Sequence, residues 1–259
     1  MSCWWKYLLY LLKSKHRRGF GVHSPSMFYF ITMVIEEKLP FYRFSQIENL
    51  RNILKKTKKT IQDNPQDEGR RISEVVDETS FCKTYDQMLF RIVQFMKSKT
   101  IVEVGTSVGI STAYLATPNS KANVYSIGKS KGVATLEELN FRRMGIDNVK
   151  VLCEDDAAQT LDGLFCETNK IDLLYFGRSC SAEDIRSIVY EKRNLFSQNA
   201  VVIVSDIHRN EKKEILWDEL KEIPDFNVNL ELFVYGILFC NENLQRESYN
   251  LFYLPPLFN

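Results

Sequence analysis

The 259-residue sequence lacks the cysteine patterns, repeats and long apolar runs that assign chains to several common protein classes. Its six cysteines are scattered without a C-x-x-C pair, which argues against a structural zinc site and against a disulfide framework. A reducing compartment, the cytoplasm, is therefore expected. No internal repeat or low-complexity tract is present, so a repeat architecture is excluded.

Apolar runs are also too short for a transmembrane segment. The apolar and aromatic stretch 4–12 is well short of the ~20 residues that cross a bilayer as a helix. It has no leading basic region and no small-residue cleavage site, which a secretory signal peptide would have. We expect it to form a helix on the protein's own surface, and a helix on a membrane or a partner is the alternative.

The net charge of +1 conceals an uneven distribution. Residues 1–100 hold 18 Lys and Arg against 10 Asp and Glu, a balance of +8, and the remainder holds 16 against 23, a balance of −7. A basic front region is typical of proteins with an anionic partner, such as nucleic acid or a lipid surface. A solvated basic face is the plainer explanation, because a run such as 55–59 (KKTKK) is stable in water.

Residues 1–82 predict a helical N-terminal extension. Ser24 and Pro25 suit the N-cap and the first position of a helix. Apolar residues then recur at helical spacing, and a polar, turn-rich loop is expected over 62–69. The second predicted domain is 83–259.

Beyond residue 100, short β-branched runs alternate with helical segments. This alternation predicts right-handed β-α-β units and an α/β fold with a buried, mostly parallel sheet. The last two runs adjoin each other, which indicates an antiparallel hairpin. The seven predicted strands are 101–104, 123–127, 149–152, 171–176, 200–204, 228–233 and 235–240.

The segment 101–112 (IVEVGTSVGIST) carries the strongest functional signal. A strand ends in an acid, turns at Gly105 and opens a helix through Gly109. The first glycine allows a sharp turn, and the second lets the start of the helix pack against the sheet. Free N–H groups at that helix start would face a ligand. Nearby hydroxyl donors are those of Thr106, Ser107 and Ser111.

The loop EVGTSVGISTAYLA resembles the S-adenosylmethionine (SAM) binding loop of class I methyltransferases, especially the catechol and caffeoyl-CoA O-methyltransferase group. The stretches YDQMLFRIVQFM, LNFRRMGIDNVKV and SDIH fit the same group. RGFGVHSPSMFYFI and DIHRNEKKEILWDEL together resemble one bacterial branch of it. The resemblance implies a Rossmann-like class I methyltransferase sheet of seven strands with the last antiparallel, SAM as cofactor, and methyl transfer to oxygen or nitrogen of a small acceptor.

The resemblance also implies which residues surround the cofactor. The loop acid, Glu103, and its neighbours would line the methionine end of SAM, and Asp156 with Ala157 would lie beside the adenine. Ile127 and Gly128 end the second strand. The predicted cofactor-binding residues are Glu103, Gly105, Thr106, Ser107, Gly109, Ser111, Ile127, Gly128, Asp156 and Ala157.

The second strand departs from the family pattern. Most class I methyltransferases end it in an acid that accepts hydrogen bonds from both ribose hydroxyls, and here Gly128 takes that position. Losing a charged acceptor weakens binding by about 1.5–3 kcal/mol when nothing replaces it. Ser126 or Ser130 is a partial substitute.

The fourth strand departs from the pattern of metal-dependent relatives. These enzymes end it in an aspartate that binds magnesium or calcium, and here Gly177 stands there with Arg178 beside it. Asp206, after the fifth strand, is a single carboxylate and thus a poor site for a hard cation. No metal is therefore expected.

Asp206 and His208 are the predicted catalytic residues, because both follow a strand end and could orient or deprotonate an acceptor. A helix N-cap is the plainer role for Asp206, and surface packing is the plainer role for His208. His23, Tyr85 and Gln87 are weaker candidates for the acceptor pocket, since a turn or core packing accounts for them equally well.

Three functions remain open from the sequence. The leading hypothesis is a metal-independent SAM-dependent methyltransferase, supported by the intact glycine loop. A catalytically lapsed SAM-fold binding or scaffold protein would explain Gly128 and Gly177. A nicotinamide-dependent oxidoreductase is disfavoured, because Gly128 removes its ribose acid too and the final hairpin suits methyltransferases better. The sequence also leaves open whether the protein forms a homodimer.

Overall fold

The computed structural model describes residues 3–17, 19–63, 69–166 and 169–253. The front region is mostly helical, and helices alternate with strands from residue 100 onward. The α-helices are α1 (Cys3–Lys13), α2 (Pro25–Phe30), α3 (Tyr42–Lys56), α4 (Ile72–Thr79), α5 (Lys83–Met96), α6 (Ile110–Ala116), α7 (Lys131–Met144), α8 (Ala157–Leu164), α9 (Ala182–Glu191) and α10 (Glu211–Lys221). A π-helix, Ile31–Ile35, continues α2, and a 3-10 turn, Arg193–Leu195, follows α9.

Two short strands, β1 (Thr60–Ile61) and β2 (Arg70–Arg71), pair with each other in the front region. The central sheet has eight strands: β3 (Thr100–Val104), β4 (Asn123–Gly128), β5 (Val149–Cys153), β6 (Ile171–Phe176), β7 (Phe196–Ser205), β8 (Val228–Glu231), β9 (Tyr235–Phe239) and β10 (Glu247–Asn250). Their order across the sheet is β5-β4-β3-β6-β7-β9-β8-β10. Every pair of neighbours is parallel except those of β9, which is antiparallel to β7 and β8.

The predicted α/β fold with its parallel sheet and closing hairpin is confirmed. The strand count needs a correction, because β10 adds an eighth strand beside β8, and this last strand runs parallel to its neighbour. The antiparallel strand is β9, which precedes β10 in the sequence. Strand β10 reads Glu-Ser-Tyr-Asn and fully buries only Tyr249, so it has neither the β-branched residues nor the alternation that predict a strand.

Helices cover both faces of the sheet. The front region packs on one face together with α5, α6 and α7, and α8, α9 and α10 pack on the other. Successive residues of β3 show this division, since Ile101 belongs to the first core and Val102 to the second. Such alternation follows from the two-residue period of a strand.

In the front region, α2 begins at its predicted N-cap and α1 packs against the α/β core. The Ser24 hydroxyl accepts a hydrogen bond from the Met27 N–H, as expected of the N-cap of α2. The rings of Tyr7 and Tyr10 on α1 pack against Phe233, with centroids 4.9 and 5.4 Å from its ring. Helix α1 therefore lies on the protein's own surface.

No helix in the described ranges is long and apolar enough to cross a membrane. The predicted loop over 62–69 lies largely outside those ranges. The predicted division into 1–82 and 83–259 stays a prediction, and one hydrophobic core holds residues from both sides of it, such as Val76 and Leu89.

Candidate functional site

A cavity lies at the carboxyl ends of β3 and β4, where open α/β sheets bind ligands. Its volume is about 180 Å³. Helix α4 of the front region closes one side. This glycine-loop cavity is lined by Arg70, Val75, Thr79, Val104, Gly105, Thr106, Ser107, Ile127, Gly128, Lys129, Ser130, Val133, Glu154, Ala157, Ser179, Cys180 and Asp184.

The loop after β3 needs glycine at both predicted positions. Gly105 has φ +77°, and a Cβ there would lie 2.9 Å from the Cys180 backbone nitrogen. Gly109 has φ +85°, and a Cβ there would lie 2.9 Å from Glu137 Cγ. Left-handed backbone and close neighbours together exclude larger residues. The loop thus lets β3 turn directly into α6.

The turn leaves polar groups available to a ligand. The backbone N–H groups of Ser107, Val108 and Gly109 donate to no protein acceptor within the described residues. The Ser107 hydroxyl shares a hydrogen bond with the hydroxyl of Thr79 on α4. Of these three residues only Ser107 lines the cavity, and the front region helps to hold it through Thr79.

The structure brings six of the ten predicted cofactor residues to this cavity. They are Gly105, Thr106, Ser107, Ile127, Gly128 and Ala157. The other four lie outside its lining. Glu103 is fully buried behind the loop, and Ser111 donates to its Oε1 at 2.5 Å. Gly109 packs against α7, and Asp156 is the exposed N-cap of α8, accepting from the Gln159 N–H at 3.0 Å.

Beneath the loop, two buried carboxyl groups meet at one hydroxyl. Thr112 Oγ1 lies 2.6 Å from Glu103 Oε2 and 2.8 Å from Glu137 Oε1. This hydroxyl has a single proton and can donate to only one of them, so the other carboxyl must donate to it. Burial raises the pKa of Glu103 to about 7 and that of Glu137 to about 8. One proton is therefore shared by this pair at neutral pH.

The end of β4 shows why the family's ribose acid is absent. A Cβ on Gly128 would lie 2.6 Å from Thr106 Cγ2, so the Thr106 methyl group fills the space where such a side chain would begin. Its hydroxyl points inward and donates to Glu137 Oε1 at 2.9 Å. Ser126, expected as a partial substitute, is fully buried and donates to the same oxygen. Ser130 does line the cavity.

Sequence reasoning missed several lining residues. Arg70 and Thr79 come from the front region, and no sequence signal connects them to the glycine loop. Lys129 and Glu154 directly follow β4 and β5, so the rule that sites form at carboxyl ends of parallel strands could have identified them. Asp184 lies in the first turn of α9.

The predicted catalytic residues line a second cavity, at the ends of β6 and β7. This His208 cavity is lined by Lys6, Arg178, Asp206, His208, Arg209, Phe233 and Val234. Asp206 Oδ2 accepts a hydrogen bond from Arg178 Nε at 2.8 Å, and the same guanidinium lies 5.2 Å over the Phe81 ring. Asp206 is not an N-cap, because Asn210 caps α10.

His208 is held between two carboxylates. Its Nδ1 lies 3.2 Å from Glu214 Oε1, and its Nε2 lies 3.1 Å from Glu231 Oε1. The ring therefore has no free nitrogen with which to act as the predicted base.

The remaining candidate residues do not line either cavity. Gly177 could not be an acid without a backbone shift, since a Cβ there would lie 2.3 Å from the Gly105 carbonyl oxygen. Within the described ranges, no three His, Cys, Asp or Glu side chains group as metal ligands. Tyr85 is a core residue that donates to the Leu232 carbonyl at 2.7 Å. His23 is exposed, and neither it nor Gln87 lines the two cavities.

No family model and no curated protein matches the sequence. Solved structures do match. An O-methyltransferase of tomaymycin synthesis from Streptomyces achromogenes, in complex with SAM, is 14% identical over 82% of this chain and 94% of its own, with a TM-score of 0.56. An O-methyltransferase from Bacillus cereus, in complex with S-adenosylhomocysteine (SAH), is 15% identical over 83% and 96%, with a TM-score of 0.56.

A candidate caffeoyl-CoA O-methyltransferase from Staphylococcus aureus is 13% identical over 75% of this chain and 92% of its own, with a TM-score of 0.58. At this level of identity the likeness shows the fold. The chain therefore has the Rossmann-like fold of these O-methyltransferases, as the resemblance of its glycine loop predicted.

Proposed function

We propose that the protein is a SAM-dependent methyltransferase that acts on oxygen or nitrogen of a small acceptor without a metal ion. The observation that carries this proposal is the glycine-loop cavity, in which the turn at Gly105 and the free N–H group of Ser107 lie at the ends of β3 and β4. The shared fold of the SAM- and SAH-bound O-methyltransferases supports it.

The residues present fit SAM at its methionine end. The Ser107 N–H, just before the start of α6, would bind the carboxylate of its methionine part. Ile127 and Ala157 give an apolar wall for the adenine. At the ribose end, Ser130 and Lys129 line the cavity in place of the missing strand-end acid. Glu103 would act from behind, by fixing Ser111 and Thr112 of the loop.

SAM supplies a methyl group on a positively charged sulfur, and little further chemistry is needed from the protein. The chain must hold the acceptor in line with that methyl group and exclude water. Of the two predicted catalytic residues, Asp206 is the one placed to orient an acceptor or take its proton, since both nitrogens of His208 are occupied. Arg178 fixes the Asp206 carboxylate.

Metal independence rests on the same ion pair. Asp206 and Gly177 stand where metal-dependent relatives are expected to have two acids, and the guanidinium of Arg178 occupies the Asp206 carboxylate at 2.8 Å. A hard cation would find too few protein oxygens there. We expect methyl transfer to be unchanged by EDTA. Activity that disappeared with EDTA and returned with magnesium would contradict this part of the proposal.

Calorimetric titration with SAM, SAH and NAD tests the proposed function. We expect SAM and SAH to bind and NAD to leave the protein unaffected. Binding of NAD alone would instead favour the nicotinamide-dependent oxidoreductase. SAM binding without turnover across a broad panel of hydroxyl and amine acceptors would favour the lapsed binding or scaffold protein, for which Gly128 is the specific observation.

The partners beyond a small-molecule acceptor stay predictions. An anionic partner for the basic front region, a homodimer and a cytoplasmic location rest on the sequence alone. Part of the front charge is already paired within the chain, since Lys6 bonds Glu214 at 2.9 Å and Lys55 lies 3.5 Å from Asp77.

A further inference from the structure

The His208 cavity is a second opening on the same sheet edge as the glycine-loop cavity. It lies at the ends of β6 and β7, and β6 is the direct neighbour of β3. One short segment separates the two, because Arg178 lines the His208 cavity while Ser179 and Cys180 line the other. A molecule in one cavity would therefore lie close to a molecule in the other.

Backbone strain is concentrated around the His208 cavity. Asp206 has φ +58° and Phe233 has φ +63°, and both line it. The third non-glycine residue with positive φ in the described ranges is Lys97, the C-cap of α5. Strain of this kind persists where the surrounding structure holds it, and it clusters at ligand sites. The Asp206 N–H donates to the Val234 carbonyl at 2.7 Å, which fixes the two strained turns together.

Carboxylates offset most of the positive charge of this cavity, and Arg209 is the exception within the described residues. Of its five ionisable lining residues, Asp206 is the single acid, and the others are Lys6, Arg178, Arg209 and His208. Asp206 forms an ion pair with Arg178, and Lys6 forms one with Glu214. The guanidinium of Arg209 donates only to a backbone carbonyl, that of Arg178, within the described residues. It keeps several N–H groups for an oxyanion, which guanidinium binds in bidentate fashion.

The cavity also has an aromatic wall. The Phe233 ring stacks on the His208 ring, with centroids 5.1 Å apart and an angle of 27° between the planes. Both nitrogens of His208 contact carboxylates, so Arg209 is the lining cation that remains available to an anion within the described residues.

We infer that the His208 cavity is the acceptor site and that the acceptor has a carboxylate or phosphate beside an apolar or aromatic part. Arg209 binds the oxyanion, and Phe233 packs against the apolar part. The role as acceptor site rests on the proposed function, whereas the affinity for an aromatic anion does not. The methyl-accepting hydroxyl or amine would then face Asp206 and the segment shared with the glycine-loop cavity.

The test uses phenyl phosphate, benzoate and neutral phenol as probes, titrated into the ¹⁵N-labelled full-length chain without SAM. We expect the two anions to bind and phenol to bind far more weakly. Amide shifts should concentrate at 206–210 and 233–234, and those of 105–109 should stay unchanged. Arg209→Gln should weaken both anions about tenfold or more, since a charge-assisted hydrogen bond is lost.

Arg193→Gln is the matched control, because it removes the same charge from a 3-10 turn where Arg193 pairs with Asp225 instead. It should leave anion binding unchanged. Equal binding of phenol and phenyl phosphate, equal binding by Arg209→Gln and the native chain, or shifts centred on 105–109 would each overturn the inference. Anion binding at 206–210 in a chain that binds no SAM would overturn the proposed function and the acceptor role, and would leave the anion site itself standing.

Discussion

Gly105 and Gly145 share a left-handed backbone, but only Gly105 has neighbours in the space where a side chain would start. A Cβ on Gly145 has nothing within 4 Å, whereas a Cβ on Gly105 would lie 2.9 Å from the Cys180 nitrogen. We expect Gly105→Val to abolish SAM binding, because the loop and the Cys180 segment must move apart and both line the cavity. Calorimetric titration with SAM measures the loss.

Gly145→Val is the control for this substitution. Both variants incur the cost of a left-handed residue, about 1–2 kcal/mol of stability, so the fall in melting temperature of Gly145→Val gives the baseline for that cost alone. Only Gly105→Val should lose the ligand. Unaltered SAM affinity in a folded Gly105→Val protein would show that the cofactor binds elsewhere.

At the scale of single residues, the sequence indicated the glycines and Glu103 but not the second buried acid, Glu137. Gly105 and Gly109 stand out because a strand-turn-helix pattern surrounds them. Glu137 has an identical neighbour, Glu138, and both fit the polar face of a helix equally well. Only the packing of α7 on the loop distinguishes them, since Glu137 is fully buried and Glu138 is exposed.

At the scale of elements, the contact that joins β3, α6 and α7 makes stability depend on pH. The pKa values of Glu103 and Glu137 are raised in the folded chain, chiefly by burial, so the folded state binds protons more tightly than the unfolded one. The free energy of unfolding should therefore fall as pH rises from about 4.5 to about 8. Below that window the contribution is complete, because both carboxyl groups are protonated in both states.

Glu137→Gln should flatten this dependence. A glutamine stays neutral, so it removes the cost of ionising a buried group while it keeps an oxygen for Thr106 and Ser126. Urea unfolding at pH 5, 6.5 and 8 measures the slope, and Glu138→Gln is the control on the same helix. A slope that is equal in both variants would contradict the shared-proton arrangement.

Elements were predictable wherever apolar periodicity was strong. The seven predicted strands all exist, and the parallel sheet follows from their alternation with helices. Strand β10 could not be predicted, because an edge strand with one buried residue has no alternating pattern. The closure of the glycine-loop cavity by α4 was equally hidden, since it depends on how a distant segment returns over the sheet.

At the scale of the whole molecule, part of the unevenly distributed charge is paired inside the folded chain. Arg51 of α3 contacts Asp86 of α5 at 2.5 Å, and both side chains are buried, with 6% and 2% exposed. Burial raises the pKa of Asp86 to about 6 despite this neighbour, so the pair itself is a weak source of stability. Its importance is that removing either side chain would leave the other as a buried charge without its main partner.

Asp86→Asn should therefore destabilise the whole chain by about 3 kcal/mol, the lower end of the cost of leaving one buried charge without its main partner. The value is at the low end because Glu48 still contacts Arg51 at 3.1 Å. Asp77→Asn is the control. Asp77 lies 3.5 Å from Lys55, both side chains are exposed, and such pairs contribute about 0–1 kcal/mol. Because front and rear residues share one core, urea unfolding should stay a single transition in both variants. An Asp86→Asn chain in which residues 1–82 unfolded separately, before the α/β sheet, would show that the two predicted domains are stable independently.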